Sequence, residues 1–229
     1  MPQPHRFDDR LIVALDLPTA REALEMVDRL APAVGFFKVG LQLFLDAGFS
    51  VCDALSKRGF KVMLDLKFHD IPQTVALATR QLAGHDIALA TVHGYPQVVE
   101  AAAKAKGATK VLAVTVLTSL GQDELQQTGY AGSLVDLARV RAEASLAAGA
   151  DGVVCSPLEA GALRRRLGGL PVIATPGIRP LDSAPDDQTR TATPAAAIAA
   201  GATHIIVGRP ITKAPDPLAA ARDILREIG

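Results

Sequence analysis

The chain has 229 residues, 49% hydrophobic and 21% charged, which suffices for a substantial core in one large domain or two small ones. Its 24 basic and 24 acidic residues cancel, which removes the general electrostatic case for a nucleic-acid or anionic-membrane partner but leaves room for a local anion site. Cys52 and Cys155 match no metal spacing and read as buried thiols, the charged N-terminus lacks the apolar run of a signal peptide, and no run is long enough to span a membrane, so a cytoplasmic protein is expected.

The first apolar run, Leu11 to Leu15, reads as a strand ending at Asp16, and Pro18-Thr19 opens a helix to about Leu30 with Ala23, Leu24, Val27 and Leu30 at helical spacing. Phe36 to Gly40 is a short strand that contains Lys38, and helical segments cover about Leu41 to Lys57. A third strand starts at Val62 and runs into Asp65-Leu66-Lys67-Phe68-His69-Asp70. Side chains alternate along a strand, so Asp65 and Lys67 should face one side and Leu66 the other. A helix from about Ile71 to Ala83, with Pro72 in its first turn, precedes a strand at Ile87 to Val92 that ends at His93-Gly94.

A helix from Pro96 to about Lys106 leads to the strand Lys110 to Val116, which ends at Leu117-Thr118-Ser119. Residues 120–132 read as a polar loop, and Ser133 caps a helix to about Ala148. Gly152 to Cys155 is the sixth strand, followed by a helix from Ser156-Pro157, and Pro171 to Ala174 is the seventh. The long stretch Thr175 to Thr193 reads as a loop of functional length, Pro194 to Ala200 as a helix, and His204 to Val207 as the eighth strand. Gly208-Arg209-Pro210 then opens a last helix through Ile228.

Eight such strand–helix units predict a parallel α/β fold, a (β/α)8 TIM barrel forming a single catalytic domain over 1–229. An open doubly wound sheet is the runner-up, but no G-x-G-x-x-G follows the first strand. A barrel gathers the strand ends at one face, which brings Asp16, Lys38, Asp65, Lys67 and Arg209 together. A lone Asp-x-Lys fits a structural ion pair. With Asp70 close behind, Lys38 and Lys67 can alternate with Asp65 and Asp70 in a network whose members support one another's charge. Thr175-Pro176-Gly177-Ile178-Arg179 and Gly208-Arg209 follow strands 7 and 8, where barrels bind phosphate on backbone N–H groups and a guanidinium.

With these residues in place, the chain resembles the orotidine 5′-phosphate decarboxylase family, bacterial type, over almost its whole length. The most specific part is Asp65-Leu66-Lys67-Phe68-His69-Asp70-Ile71-Pro72-Gln73-Thr74. Phe37-Lys38-Val39-Gly40, Leu117-Thr118-Ser119, and Thr175-Pro176-Gly177-Ile178-Arg179-Pro180 with Asp187-Gln188 support it. Related barrels, the 3-keto-gulonate-phosphate decarboxylases and hexulose-phosphate synthases, share Asp-x-Lys-x-x-Asp; the Asp-Ile-Pro-x-Thr continuation and the Pro-Gly-Ile-Arg loop favour the orotidylate branch. The stretch Gly94-Tyr95-Pro96-Gln97 departs from the small residues and paired glycines usual there.

The resemblance implies decarboxylation of orotidine 5′-monophosphate to UMP and carbon dioxide without a cofactor. Lys67 would stabilise charge at C6 and donate the proton, Asp65 would sit near the departing carboxylate, and Lys38 would hold Asp65 and contact the ribose. Asp16 would bind a ribose hydroxyl, Thr118 and Ser119 the sugar and pyrimidine, and Arg179, Gln188, Gly208 and Arg209 the phosphate. His69, inside the motif, reads as packing or hydrogen-bonding support. Asp70 and Thr74 would reach the neighbouring subunit's site, which implies a homodimer. The alternatives are a Mg²⁺-dependent sugar-phosphate decarboxylase or aldolase on the same barrel, and a non-catalytic barrel that binds phosphometabolites.

Overall fold

The β-branched runs pair side by side in a computed structural model that describes residues 7–180 and 190–229. The strands are β1 (Leu11–Ala14), β2 (Phe36–Gly40), β3 (Lys61–Phe68), β4 (Leu89–His93), β5 (Lys110–Val114), β6 (Gly152–Val154), β7 (Val172–Thr175) and β8 (His204–Val207). Each pairs in parallel with the next, and β1 closes on β8 through Leu11–Ile205, Ile12–Ile206 and Val13–Val207. The result is the closed eight-stranded barrel expected from the alternating pattern, a TIM barrel.

Strand parity sorts the side chains. Ile12, Ala14, Phe36, Met63, Leu89, Leu112, Val114, Val154, Val172, Ala174 and Ile206 pack together inside the barrel. Their neighbours Leu11, Val13, Phe37, Val39, Val62, Leu64, Ala90, Ile205 and Val207 face outward, against helices that contribute Ala23, Val27, Leu30, Leu55, Ala221 and Ile224. Lys38 shares its parity with Phe36, Asp65 with Met63, and Thr91 with Leu89, so all three polar residues share the inward parity. They occupy the upper layer of the interior because the register pairs Ala14 with Lys38 and Gly40 with Asp65.

The outer layer is built from α1 (Ala20–Leu30), α2 (Leu41–Ala47), α3 (Phe49–Lys57), α4 (Pro72–Gln81), α5 (Pro96–Ala105), α6 (Gln122–Gln127), α7 (Leu134–Ala147), α8 (Pro157–Leu167), α9 (Pro194–Ala199), α10 (Arg209–Thr212) and α11 (Pro217–Glu227). Side-chain caps fix several starts: Thr19 accepts from Glu22 N–H, Ser133 from Asp136 N–H, and Ser156 forms a capping box with Glu159.

Four expectations are corrected. The predicted loop 120–132 contains α6, whose first turn carries Asp123 and Glu124 at the favourable end of the helix dipole. The single last helix is two, because Pro217 cannot continue α10 and Asp216 instead caps α11 by accepting from Ala219 N–H. β4 begins at Leu89 rather than Ile87, and β5 ends at Val114 rather than Val116. Among the described residues, no helix is long and apolar enough to cross a membrane.

At the start of β8, His204 meets Phe36 edge-on, with ring centroids 5.9 Å apart, and its Nδ1 lies 2.8 Å from Thr203 Oγ1. Burial pushes the imidazole down from 6.5 to about 4, with Lys110 and Lys61 adding to the effect and Asp9 and Asp8 opposing it. A depressed histidine stabilises the fold fully above its unfolded pKa, and that contribution is lost as pH falls toward the folded value. Between pH 6.5 and about 4, the unaltered chain should lose roughly 3 kcal/mol that His204→Phe does not lose. Denaturant midpoints of both chains across this window test it. Parallel pH profiles would refute the assignment.

Candidate active site

Where β3 leaves the barrel, strict alternation fails. Met63 and Leu64 pair with Leu89 and Ala90, but Phe68 pairs with Val92, so four residue steps on β3 oppose two on β4. The bulge is made possible at Lys67, whose φ of 50° is left-handed and is the only positive φ outside glycine among the described residues. Lys67 N–H donates to Thr91 Oγ1 on β4 at 3.0 Å. Asp65 and Lys67 do meet, with Lys67 Nζ 2.9 Å from Asp65 Oδ1, but a bulge brings them together rather than a regular pleat.

From this pair the charges continue in a line. Lys38 Nζ lies 3.5 Å from Asp65 Oδ2 and 2.9 Å from Asp16 Oδ1. Thr91 Oγ1 donates to Asp65 Oδ1 at 2.9 Å. The side chains of Lys38 and Asp65 are only 9% and 13% exposed, so neither charge would be tolerated alone. Burial alone would push the Asp65 carboxyl up, but Lys38, Lys67 and the hydroxyl of Thr91 outweigh it and hold it below the usual carboxylate range. Burial likewise opposes the charge on Lys38, and Asp65 and Asp16 overcome it, raising its affinity for the proton.

Gly40 makes room for this line. A Cβ there would come within 2.7 Å of Asp16 Oδ1 and 3.0 Å of Lys38 Nζ, while its φ of −94° is open to any residue. The glycine is needed for space.

The line of charges borders a cavity of about 540 Å³ at the C-terminal ends of the strands, the end at which barrel enzymes place their chemistry. Asp16, Lys38, Asp65, Lys67, Thr118, Ser119, Arg179, Gly208 and Arg209 all line it. Gly177 is left-handed, at φ 76°, between β7 and Arg179. The arms of that loop pair with each other, since Arg179 N–H donates to Ala192 O at 2.9 Å and Ala192 N–H to Gly177 O at 3.2 Å.

Other predicted residues are not drawn in. Asp70 and Thr74 are exposed and do not line the cavity, and Asp70 Oδ1 accepts from Ile71 N–H at 2.6 Å. Within one chain the expected network of Lys38, Lys67, Asp65 and Asp70 is therefore corrected, because Asp16 takes the outer place. Asp70 stands exposed just ahead of the helix start at Pro72. Gln188 lies outside the described residues. His69 stacks on Tyr95 with centroids 4.6 Å apart and planes 8° from parallel, and the Arg141 guanidinium covers the same tyrosine. The unusual Gly94-Tyr95-Pro96 stretch thus forms an aromatic platform and starts α5.

Sequence reasoning missed Thr91, although its parity with Leu89 on β4 pointed it inward. It also missed Thr212 and Lys213, which line the cavity, and a buried ion pair between Arg190 and Glu159. Arg190 also donates to Leu117 O at 3.0 Å, tying the returning arm of the β7 loop to the exit of β5. Burial pushes the Glu159 carboxyl up, against the pull of Arg190 and of Ser156 N–H.

A closed parallel barrel with alternating buried charges and a guanidinium-edged cavity at its C-terminal mouth defines the class: a (β/α)8-barrel enzyme built for electrostatic work on a polar substrate. Residues 9–224 match the orotidine 5′-phosphate decarboxylase / HUMPS family, and the chain belongs to it. It is 47% identical to an orotidine 5′-phosphate decarboxylase of Methylobacterium sp. (strain 4-46), covering 100% of this chain and 99% of that one. It is 51% identical to one from Rhodopseudomonas palustris, covering 96% and 94%. The crystal structure of orotidine 5′-phosphate decarboxylase from Lactobacillus acidophilus superposes with a TM-score of 0.85 at 37% identity, covering 97% and 100%.

Proposed function

We propose that this chain decarboxylates orotidine 5′-monophosphate to UMP and carbon dioxide, the last step of de novo UMP synthesis, within one catalytic domain spanning 1–229. The observation that carries the reading is the line Asp16–Lys38–Asp65–Lys67 along one cavity that also holds Arg179, Gly208 and Arg209. Charges that can act on a reacting carbon and cations that can hold a phosphate share one space. The near full-length similarity to named orotidine 5′-phosphate decarboxylases supplies the substrate.

Breaking the C6–carboxylate bond leaves an electron pair on C6 in an orbital with poor delocalisation. The Lys67 ammonium stabilises that pair and then gives its proton to C6, and the resulting neutral amine recovers a proton from solvent. Asp65, kept ionised by Lys38 and Lys67, faces the departing carboxylate, so repulsion there is relieved as carbon dioxide leaves. Lys38 holds Asp65 and contacts the ribose. Asp16 binds a ribose hydroxyl, and Thr118 and Ser119 meet the sugar and the pyrimidine. Arg179, Gln188, Arg209 and the backbone at Gly208 hold the phosphate, whose binding energy is used in the transition state. No cofactor is required, because the chain's own charges supply the stabilisation.

The functional unit is a homodimer in the cytoplasm, with Asp70 and Thr74 entering the partner's site. Support comes from their outward position beside exposed Ile71, Leu77 and Tyr95, an apolar edge next to a charge. No nucleic-acid or membrane partner is involved.

Purified chain should consume orotidine 5′-monophosphate, followed by its absorbance, at the same rate with and without excess EDTA. Loss of turnover on chelation would instead favour the Mg²⁺-dependent sugar-phosphate chemistry of related barrels. No turnover under either condition would refute the reading.

A further inference from the structure

Thr91 belongs to no motif and does not line the cavity, yet its hydroxyl touches both members of the Asp65–Lys67 pair. It is 1% exposed. The hydroxyl has one proton, and the geometry fixes where it goes. Lys67 N–H occupies a lone pair at 3.0 Å, and the proton is directed at Asp65 Oδ1 at 2.9 Å. Asp65 Oδ1 also accepts from Lys67 Nζ at 2.9 Å. Lys67 backbone, Thr91 hydroxyl, Asp65 carboxylate and Lys67 ammonium thus form a closed ring of hydrogen bonds.

The ring sits where the backbone is least at ease. The bulge takes Lys67 N–H out of register with the β4 carbonyls, and its left-handed φ of 50° is disfavoured for a residue with a Cβ. A side-chain acceptor on the neighbouring strand replaces the missing ladder partner. A valine would fit the same space and the same strand preference, but would leave both the amide and Asp65 one bond short.

We infer that Thr91 is a positioning residue for the decarboxylation: its hydroxyl holds Lys67 in the left-handed turn and fixes where the ammonium and the Asp65 carboxylate stand. The inference rests on the reaction proposed above. Thr91 acts through Asp65 and Lys67 and does not touch substrate. A purely structural role predicts lower stability with unchanged kinetics, whereas a positioning role predicts a loss in kcat, because only the transition state requires the ammonium at C6.

The test is Thr91→Val and Thr91→Ser beside the unaltered chain, with kcat and KM for orotidine 5′-monophosphate and calorimetric affinity for UMP. Thr91→Val should lower kcat about 100-fold, with KM and UMP affinity within about threefold, as small misplacements of a reacting group do. Thr91→Ser restores donor and acceptor and should recover most of the loss. A kcat within about tenfold of the unaltered chain, a loss carried by KM, or a serine variant no better than valine would each overturn the inference. Thr91→Ala, which leaves a gap in place of a mismatched methyl, is read by the same criteria and serves if the valine chain does not fold. Absence of turnover in the unaltered chain would refute the proposed reaction itself, whereas turnover indifferent to Thr91→Val would refute only the role of Thr91.

Discussion

Lys67→Ala should abolish nearly all decarboxylation while leaving the chain able to bind UMP. In the proposed reaction the lysine holds two roles that are usually separate. As the cation facing the developing charge it is comparable to an oxyanion-hole donor, whose removal costs about 10²–10³ in rate. As the proton donor it is a general acid, which contributes about 10²–10⁴. The effects overlap on one atom, so the expected fall is at least about 10⁴-fold in kcat rather than their product. UMP affinity should change far less, because the ribose and phosphate contacts assigned to Asp16, Lys38, Arg179 and Arg209 remain. The fold should also survive: Asp65 keeps Lys38 and Thr91, and the lost side chain is one-third exposed, at 34%. Single-turnover kinetics and calorimetry check both halves. Turnover within about tenfold of the unaltered chain would remove Lys67 from the chemistry.

Equal amounts of Lys67→Ala and Asp70→Ala, each inactive alone, should regain activity when their subunits are allowed to exchange. If Asp70 serves the partner's site, a mixed dimer has one site that lacks both residues and one that is complete. Random exchange makes half of the dimers mixed, each with one working site of two, so recovery should approach about one quarter of the unaltered activity. If Asp70 serves its own site, every site in the mixture carries one defect and nothing returns. Differently tagged subunits, recovered together, establish that exchange has taken place. Silence under that condition would return Asp70 to its own chain, where it is exposed and bonded to Ile71 N–H.

Much of the architecture was legible because it depends on local pattern. Eight β-branched runs separated by helix-length segments lead to a parallel barrel almost without choice, and parity along β3 already set Asp65 and Lys67 on one side. The bulge was not legible. It depends on the register of β4 against β3, and that pairing joins residues more than twenty positions apart in the chain. Thr91 went unnoticed for a related reason: a threonine among apolar strand residues looks like strand propensity until the opposing amide is known. The Asp16–Lys38 contact depends on the register of β1 against β2, whereas Asp70 offers a fourth charge only three residues from Lys67 in sequence. The break before α11 had a visible signal in Asp216-Pro217, and the proline should have outweighed the helical periodicity around it.

Arg190 gives the mouth of the cavity a fixed dimension. Its guanidinium is shared between Glu159, only 3% exposed, and the carbonyl of Leu117. Withdrawing it would strand a buried carboxylate, at a cost of about 3–5 kcal/mol. The returning arm of the β7 loop and the exit of β5 are thereby tied together, one leading toward Arg179 through its bond to Ala192 and the other toward Thr118 and Ser119. The reach between those arms is a length held by the protein rather than by whatever occupies it. In the proposed reaction, that reach sets the spacing at which the phosphate contacts of Arg179 and the sugar and pyrimidine contacts of Thr118 and Ser119 can be made together.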